Sequence, residues 1–230
     1  MPRIVSIEGN IGAGKTTLFD HLKARFAASG VHAVFMPEPV DLWQTVADES
    51  GETMLTKFYR DPTKYAFSFQ IMAFTTRLAM LKRMMREHPD CDVIICERSL
   101  EADRNVFAKM LRGSGKIEDV EYQVYEMLYN DTAEEFPIDR IIYVDADPEV
   151  CVNRIAKRSR TGESTISVEY LRDCREYYNA WLLAEPRDFE LLILNNNPDV
   201  PDTDSSRIDQ LVDFIHSEEY KVEKLISANV

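Results

Sequence analysis

An apolar run, Ile4-Val5-Ser6-Ile7, leads through Glu8 into Gly9-Asn10-Ile11-Gly12-Ala13-Gly14-Lys15-Thr16, and an amphipathic stretch over 17–28 follows. The middle segment fits G-x-x-x-x-G-K-[ST], and strand, loop and helix stand in the order that this pattern requires. Its glycines permit a tight turn whose successive backbone N–H groups face a di- or triphosphate, and the positive end of the next helix adds to the attraction. Lys15 would pair with the outer phosphates and the Thr16 hydroxyl would hold Mg2+, with 9–17 as the phosphate-binding segment.

The rest of the chain continues the alternation. Short apolar runs predict strands over 3–8, 31–36, 92–96, 140–145 and 191–194, and helical patterns fall at 17–28, 63–87, 103–111, 120–130, 148–157, 167–184 and 206–216. Most of the strands are unbroken apolar runs, as expected where both faces of a parallel sheet are covered. The expected fold is α/β, a doubly wound five-stranded parallel sheet with ligands gathered at the carboxyl ends of its strands. The 230 residues, 45% of them hydrophobic, suffice for one domain over 1–230, with breaks at 50–51, 113–115 and 195–201 read as loops and 218–230 as a frayed tail or last helix.

Composition excludes several partners. A net charge of −13 argues against a polynucleotide, which is held by summed cationic contacts. No apolar stretch is long enough to span a bilayer and no basic-apolar leader precedes the first strand, so a cytoplasmic location is expected. Cys91, Cys96, Cys151 and Cys174 lack metal or disulfide spacing and read as reduced core thiols, and the four histidines lack ligand spacing as well.

Candidate chemistry lies at the strand ends. The second strand runs into Glu38 and the third into Glu97-Arg98. A lone glutamate there serves equally as a cap, but a charge pair leaving a buried strand is costly without partners. Phosphoryl transfer supplies them: a carboxylate for Mg2+, a guanidinium for developing charge and a base for the attacking hydroxyl. Arg154, Lys157, Arg158 and Arg160 form a basic run, either a solvated helix face or the start of a lid over 154–165 that folds onto bound phosphates. Gln70, Ala73, Phe74 and Arg77 share one face of the long helix. Phe74 fits core packing, whereas Gln70 and Arg77 are polar on an apolar face and so suit a buried ligand. Asp103 and Phe107, at i and i+4, offer an acceptor and a ring to stack on a base.

These segments, together with Pro39-Val40, Trp43, Phe69 and Ser99, resemble the deoxynucleoside kinase family from Ile4 to about Leu194. The resemblance implies a P-loop kinase with a helical lid that moves a phosphoryl group from ATP to the 5′-hydroxyl of a deoxynucleoside. It implies Glu38 as the proton acceptor, Arg98 at the hydroxyl and the incoming phosphoryl group, and Glu97 with the magnesium ion. Tyr59 and Glu163 would bond the sugar 3′-hydroxyl, Arg154 would lie against adenine, and Arg158 and Arg160 would reach the phosphates. Trp43, Gln70, Arg77, Asp103 and Phe107 would line the base pocket, where an Arg77–Asp103 pair implies deoxyadenosine, deoxyguanosine or deoxycytidine over thymidine. A homodimer built through helices including 63–87 is also implied. The rival is a thymidylate-like nucleoside monophosphate kinase, whose extra phosphate would need cations such as Arg60 and Lys64. A regulatory GTPase would need Asn-Lys-x-Asp and Asp-x-x-Gly motifs, and neither occurs.

Overall fold

A computed structural model describes residues 1–158, 163, 166–197 and 205–217. Five strands, β1 (Arg3–Gly9), β2 (Ala33–Met36), β3 (Val93–Glu97), β4 (Arg140–Asp145) and β5 (Glu190–Asn195), form one sheet in the order β2-β3-β1-β4-β5. Every pairing is parallel. Neighbouring residues of a strand face opposite sides, and the core divides accordingly. Ile4, Ile94 and Cys96 pack with Phe74 and Tyr125 on one side, while Val5, Ile7 and Ile95 pack with Leu22 and Phe214 on the other. Both sheet faces are therefore dry, which is why the strands read as continuous apolar runs.

The helices are α1 (Lys15–Phe26), α2 (Val40–Thr45), α3 (Met54–Arg60), α4 (Pro62–Glu87), α5 (Leu100–Ala102), α6 (Lys109–Gly113), α7 (Asp119–Thr132), α8 (Pro148–Arg158), α9 (Val168–Leu182) and α10 (Ser205–His216). α2 and α3 stand where the sequence pattern predicts no helix, because elements of 6 and 7 residues are too short to develop a period. The helix expected over 103–111 starts earlier, at Leu100, because the Ser99 side chain caps it by accepting the Ala102 N–H. It then passes through a π-helical turn, Asp103–Ala108, a form frequent at functional sites.

Register places the chemistry. Ile7 pairs with Glu97 and Gly9 with Val144, so the loop after β1 opens beside the ends of β3 and β4. Arg160, most of the remaining expected lid over 159–165, the loop beyond Asn197 and the 218–230 tail lie outside the described residues.

Candidate active site

The carboxyl ends of the strands open into a cavity of about 590 Å³. Ile11, Gly12, Gly14, Lys15, Thr16 and Thr17 line its phosphate-loop side. Gly12 adopts φ 78°, and a Cβ there would stand 2.7 Å from the Cys151 carbonyl oxygen of α8, so only glycine fits between loop and helix. Lys15 is buried, with Nζ donating to the Asn10 carbonyl at 2.8 Å. Burial, reinforced by the nearby positive Arg98, lowers its pKa to about 8. The Thr16 hydroxyl donates to Glu97 Oε1 at 2.7 Å.

Gly9, Asn10 and Ala13 lie behind this wall. The Asn10 side chain is spent on structure: its amide donates to the Leu171 carbonyl of α9 at 2.7 Å, and its oxygen accepts the Ile11 N–H at 2.9 Å. The Ala13 carbonyl accepts from Asn196 Nδ2 at 2.7 Å and from Arg154 Nη1 at 3.2 Å.

Across the cavity, Glu38 leaves β2 in a proline-flanked turn and meets two guanidiniums. Arg77 Nη2 lies 2.6 Å and Arg98 Nε 3.0 Å from its Oε1. Burial alone would raise the Glu38 pKa, but Arg98 and then Arg77 hold it down at about 2. Arg77 also reaches Asp103 Oδ1 at 2.6 Å, with both side chains buried. The Tyr125 hydroxyl donates to the other Asp103 oxygen at 3.0 Å, and Gln70 Nε2 to its backbone carbonyl at 3.3 Å. The Arg77 guanidinium lies 5.0 Å over the Trp43 ring, and the Arg98 guanidinium 4.8 Å over Phe107. Among the described residues the buried Arg77 Nε has no hydrogen-bond partner, and it belongs to a side chain that lines the cavity.

From the lid side, Arg154, Arg158 and Glu163 line the cavity, and Arg158 Nη2 pairs with the buried Glu163 carboxylate. Tyr59 faces the same space, where burial and then the Glu163 charge push its phenol well above the usual range. Of the stripe on α4, Gln70, Ala73 and Arg77 reach the cavity, whereas Phe74 is fully buried against Tyr125 and Tyr129.

Sequence reasoning missed several participants. Leu55 and Phe58 of α3, Tyr170 of α9 and Asn196 line the cavity. Behind it, Tyr125 braces Asp103, and Glu8 accepts hydrogen bonds from Ser6, Ser99 and Tyr178. A readable signal for Glu8 was a carboxylate inside a strand whose other buried positions are apolar or small; for Tyr125 it was the spacing of Tyr122, Tyr125 and Tyr129 on one face of α7. Arg60 is paired with Glu52, and neither Arg60 nor Lys64 lines the cavity.

A family model described as deoxynucleoside kinase matches residues 5–225. The chain is 35% identical over 245 residues to deoxycytidine kinase 2 of Gallus gallus, covering 94% of this chain and 89% of that protein. It is 34% identical over 220 residues to a probable deoxycytidine kinase of fowlpox virus (strain NVSL), covering 92% and 87%. With the deoxycytidine kinase of Bos taurus the identity is 32% over 238 residues, covering 92% and 90%.

Proposed function

The chain belongs to the deoxynucleoside kinase family and is such a kinase, and on that premise we propose that it transfers the γ-phosphoryl group of ATP to the 5′-hydroxyl of deoxyadenosine, deoxyguanosine or deoxycytidine in preference to thymidine. The observation that carries the preference is the buried Arg77–Asp103 pair at 2.6 Å, fixed from behind by Tyr125 and from the side by Gln70. A fixed donor and acceptor suit a base edge bearing both functions, and the ion pair fills the space a thymine methyl group would need. Contacts of this kind change selectivity by roughly 1–3 kcal/mol each. The names of the avian, viral and bovine relatives, all deoxycytidine kinases, support a base with an exocyclic amine.

In this reading Glu38 accepts the hydrogen bond of the 5′-hydroxyl. With a pKa of about 2 it is a weak base, which suits a loose transition state in which the proton leaves late and the carboxylate chiefly orients the attacking oxygen. Arg98, Lys15 and the lid arginines Arg158 and Arg160 meet the phosphates, Arg154 lies against the adenine, and Tyr59 and Glu163 hold the sugar 3′-hydroxyl. Trp43 and Phe107 enclose the base. Thr16 and Glu97 present a hydroxyl and a carboxylate 2.7 Å apart, hard oxygens that fit Mg2+ with its other positions left to phosphate and water. Bound there, Mg2+ would neutralise charge on the transferring phosphates. The pairing of Arg60 with Glu52, away from the cavity, favours a nucleoside over a nucleoside monophosphate as acceptor.

A homodimer is part of this proposal. Val120, Val124 and Met127, at i, i+4 and i+7 of α7, are 69%, 49% and 72% exposed beside α4, an apolar stripe that a second copy would cover. The deciding experiment measures kcat/KM for the four deoxynucleosides and for deoxycytidine monophosphate. Thymidine or the monophosphate as best substrate refutes the reading.

A further inference from the structure

Arg98 stands out in the backbone: among the described residues it is the only non-glycine residue with positive φ, 68°. That conformation persists in an L-residue only where the surroundings over-determine it. Here the bracing is visible. The Arg98 N–H donates to the Ile7 carbonyl at 3.1 Å, and the next residue is tied twice, with Ser99 N and Oγ donating to Glu8 Oε1 at 2.9 and 2.6 Å. Ser6 Oγ donates to the same oxygen at 2.6 Å. Glu8 itself is fully buried, so its carboxylate must be satisfied from inside the protein.

The other Glu8 oxygen accepts from the Tyr178 hydroxyl at 3.3 Å, and that hydroxyl in turn accepts from Arg98 Nη1. Arg98 Nη1 is also held by the Gly9 carbonyl at 3.0 Å, Nε lies on Glu38 at 3.0 Å, and the guanidinium face rests on Phe107. Among the described residues Nη2 donates no hydrogen bond. It is the edge left for the cavity that Arg98 lines.

We propose that Glu8 and Tyr178 are positioning residues for phosphoryl transfer: Glu8 locks the strained turn, Tyr178 relays it to Arg98 Nη1, and together they aim Nη2 at the reacting phosphoryl group. The inference rests on the reading of Arg98 given above. It predicts an effect confined to the chemical step, because Tyr178 is fully buried behind Arg98 and is not among the cavity-lining residues. A misdirected catalytic group costs up to about 100-fold in rate.

Tyr178→Phe keeps the ring contacts to Tyr143 at 5.7 Å and Phe107 at 6.3 Å while deleting the hydroxyl. Expected is a kcat lowered about 10- to 100-fold with both KM values within about threefold of the parent. Glu8→Gln, which keeps an oxygen for Ser99, should lower kcat in the same way. The double variant should be no slower than about the worse single one, because the two residues act in series on one guanidinium. A Tyr178→Phe kcat within about twofold of the parent overturns the proposal, as do effects that multiply in the double variant or a loss carried equally by KM. If Glu8→Gln does not fold, the kcat and KM values of Tyr178→Phe decide alone. A parent chain that phosphorylates no deoxynucleoside counts instead against the underlying reading.

Discussion

Replacing Arg77 with methionine removes one guanidinium from two carboxylates, and the structure sets unequal consequences for them. Glu38 keeps Arg98 at 3.0 Å, but Asp103, 2% exposed, is left among the described residues with neutral donors, the Tyr125 hydroxyl at 3.0 Å and the neighbouring Gln70 amide. Removing one partner of a buried ion pair costs about 3–5 kcal/mol. At about 2–4 °C per kcal/mol for a chain of this size, the melting temperature should fall by about 6–20 °C. Asp103→Ala is the milder change, about 1–3 kcal/mol, because Arg77 retains Glu38 at 2.6 Å. The double variant buries no unpaired charge and should cost less than the sum of the two. A pH signature separates this mechanism from lost packing. Burial already pushes Asp103 up to about 6 against the pull of Arg77, and without Arg77 it rises further. A carboxyl with a folded pKa above its unfolded value, about 3.9, contributes stability that is complete below that value and lost as pH rises through the folded pKa. The Arg77→Met deficit should therefore be smaller near about pH 5 than near about pH 7.5. Urea denaturation of the parent, both single variants and the double at these two pH values is the assay. An Asp103→Ala cost equal to or above that of Arg77→Met, strictly additive costs, or a deficit that grows in acid refutes the reasoning.

Three further outcomes are expected. Glu38→Gln should lower kcat by about 10²–10⁴-fold while nucleoside still binds by calorimetry; a kcat within a few-fold of the parent removes its assignment as proton acceptor. Lys15, lowered to about 8 by burial and by Arg98, should regain its proton when a triphosphate arrives. Binding just above about pH 8 should then take up a proton, seen as a dependence of calorimetric enthalpy on buffer ionisation heat, and affinity should fall as pH rises further. A buffer-independent enthalpy contradicts this. If the proposed homodimer forms, Val124→Glu with Met127→Glu, both on the exposed stripe of α7, should yield monomers in sedimentation where the parent sediments as a dimer; a monomeric parent or an unchanged dimer mass refutes this interface.

Much of the donor side was legible because its information is local. The phosphate loop is contiguous, so spacing alone placed Gly12, Lys15 and Thr16, and the strand ends placed Glu38, Glu97 and Arg98 around one cavity. The face shared by Gln70, Ala73 and Arg77 was likewise readable, since one helix sets it. Spacing alone does not separate Phe74 from its neighbours, but residue type does: an apolar ring on that stripe fits the core, where Phe74 packs, whereas Gln70 and Arg77 reach the cavity. α2 and α3 escaped for want of length, and with them Leu55 and Phe58 of the pocket wall.

The contacts that aim the reacting groups are of another kind. Glu8 meets Ser99 across 91 positions and Tyr178 across 170, joining β1, the turn after β3 and α9. No period within one element reports such a meeting. What the sequence does carry is a misfit, a carboxylate in a strand whose other buried positions are apolar or small, and burial physics requires that it be answered by donors from elsewhere. The same holds for Arg77, the one charge on a helix face shared with Gln70, Ala73 and Phe74, which two carboxylates from other elements satisfy. In this fold the polar residue that breaks an apolar pattern marks where separate elements are joined around the site, and its partners emerge only when the chain is folded.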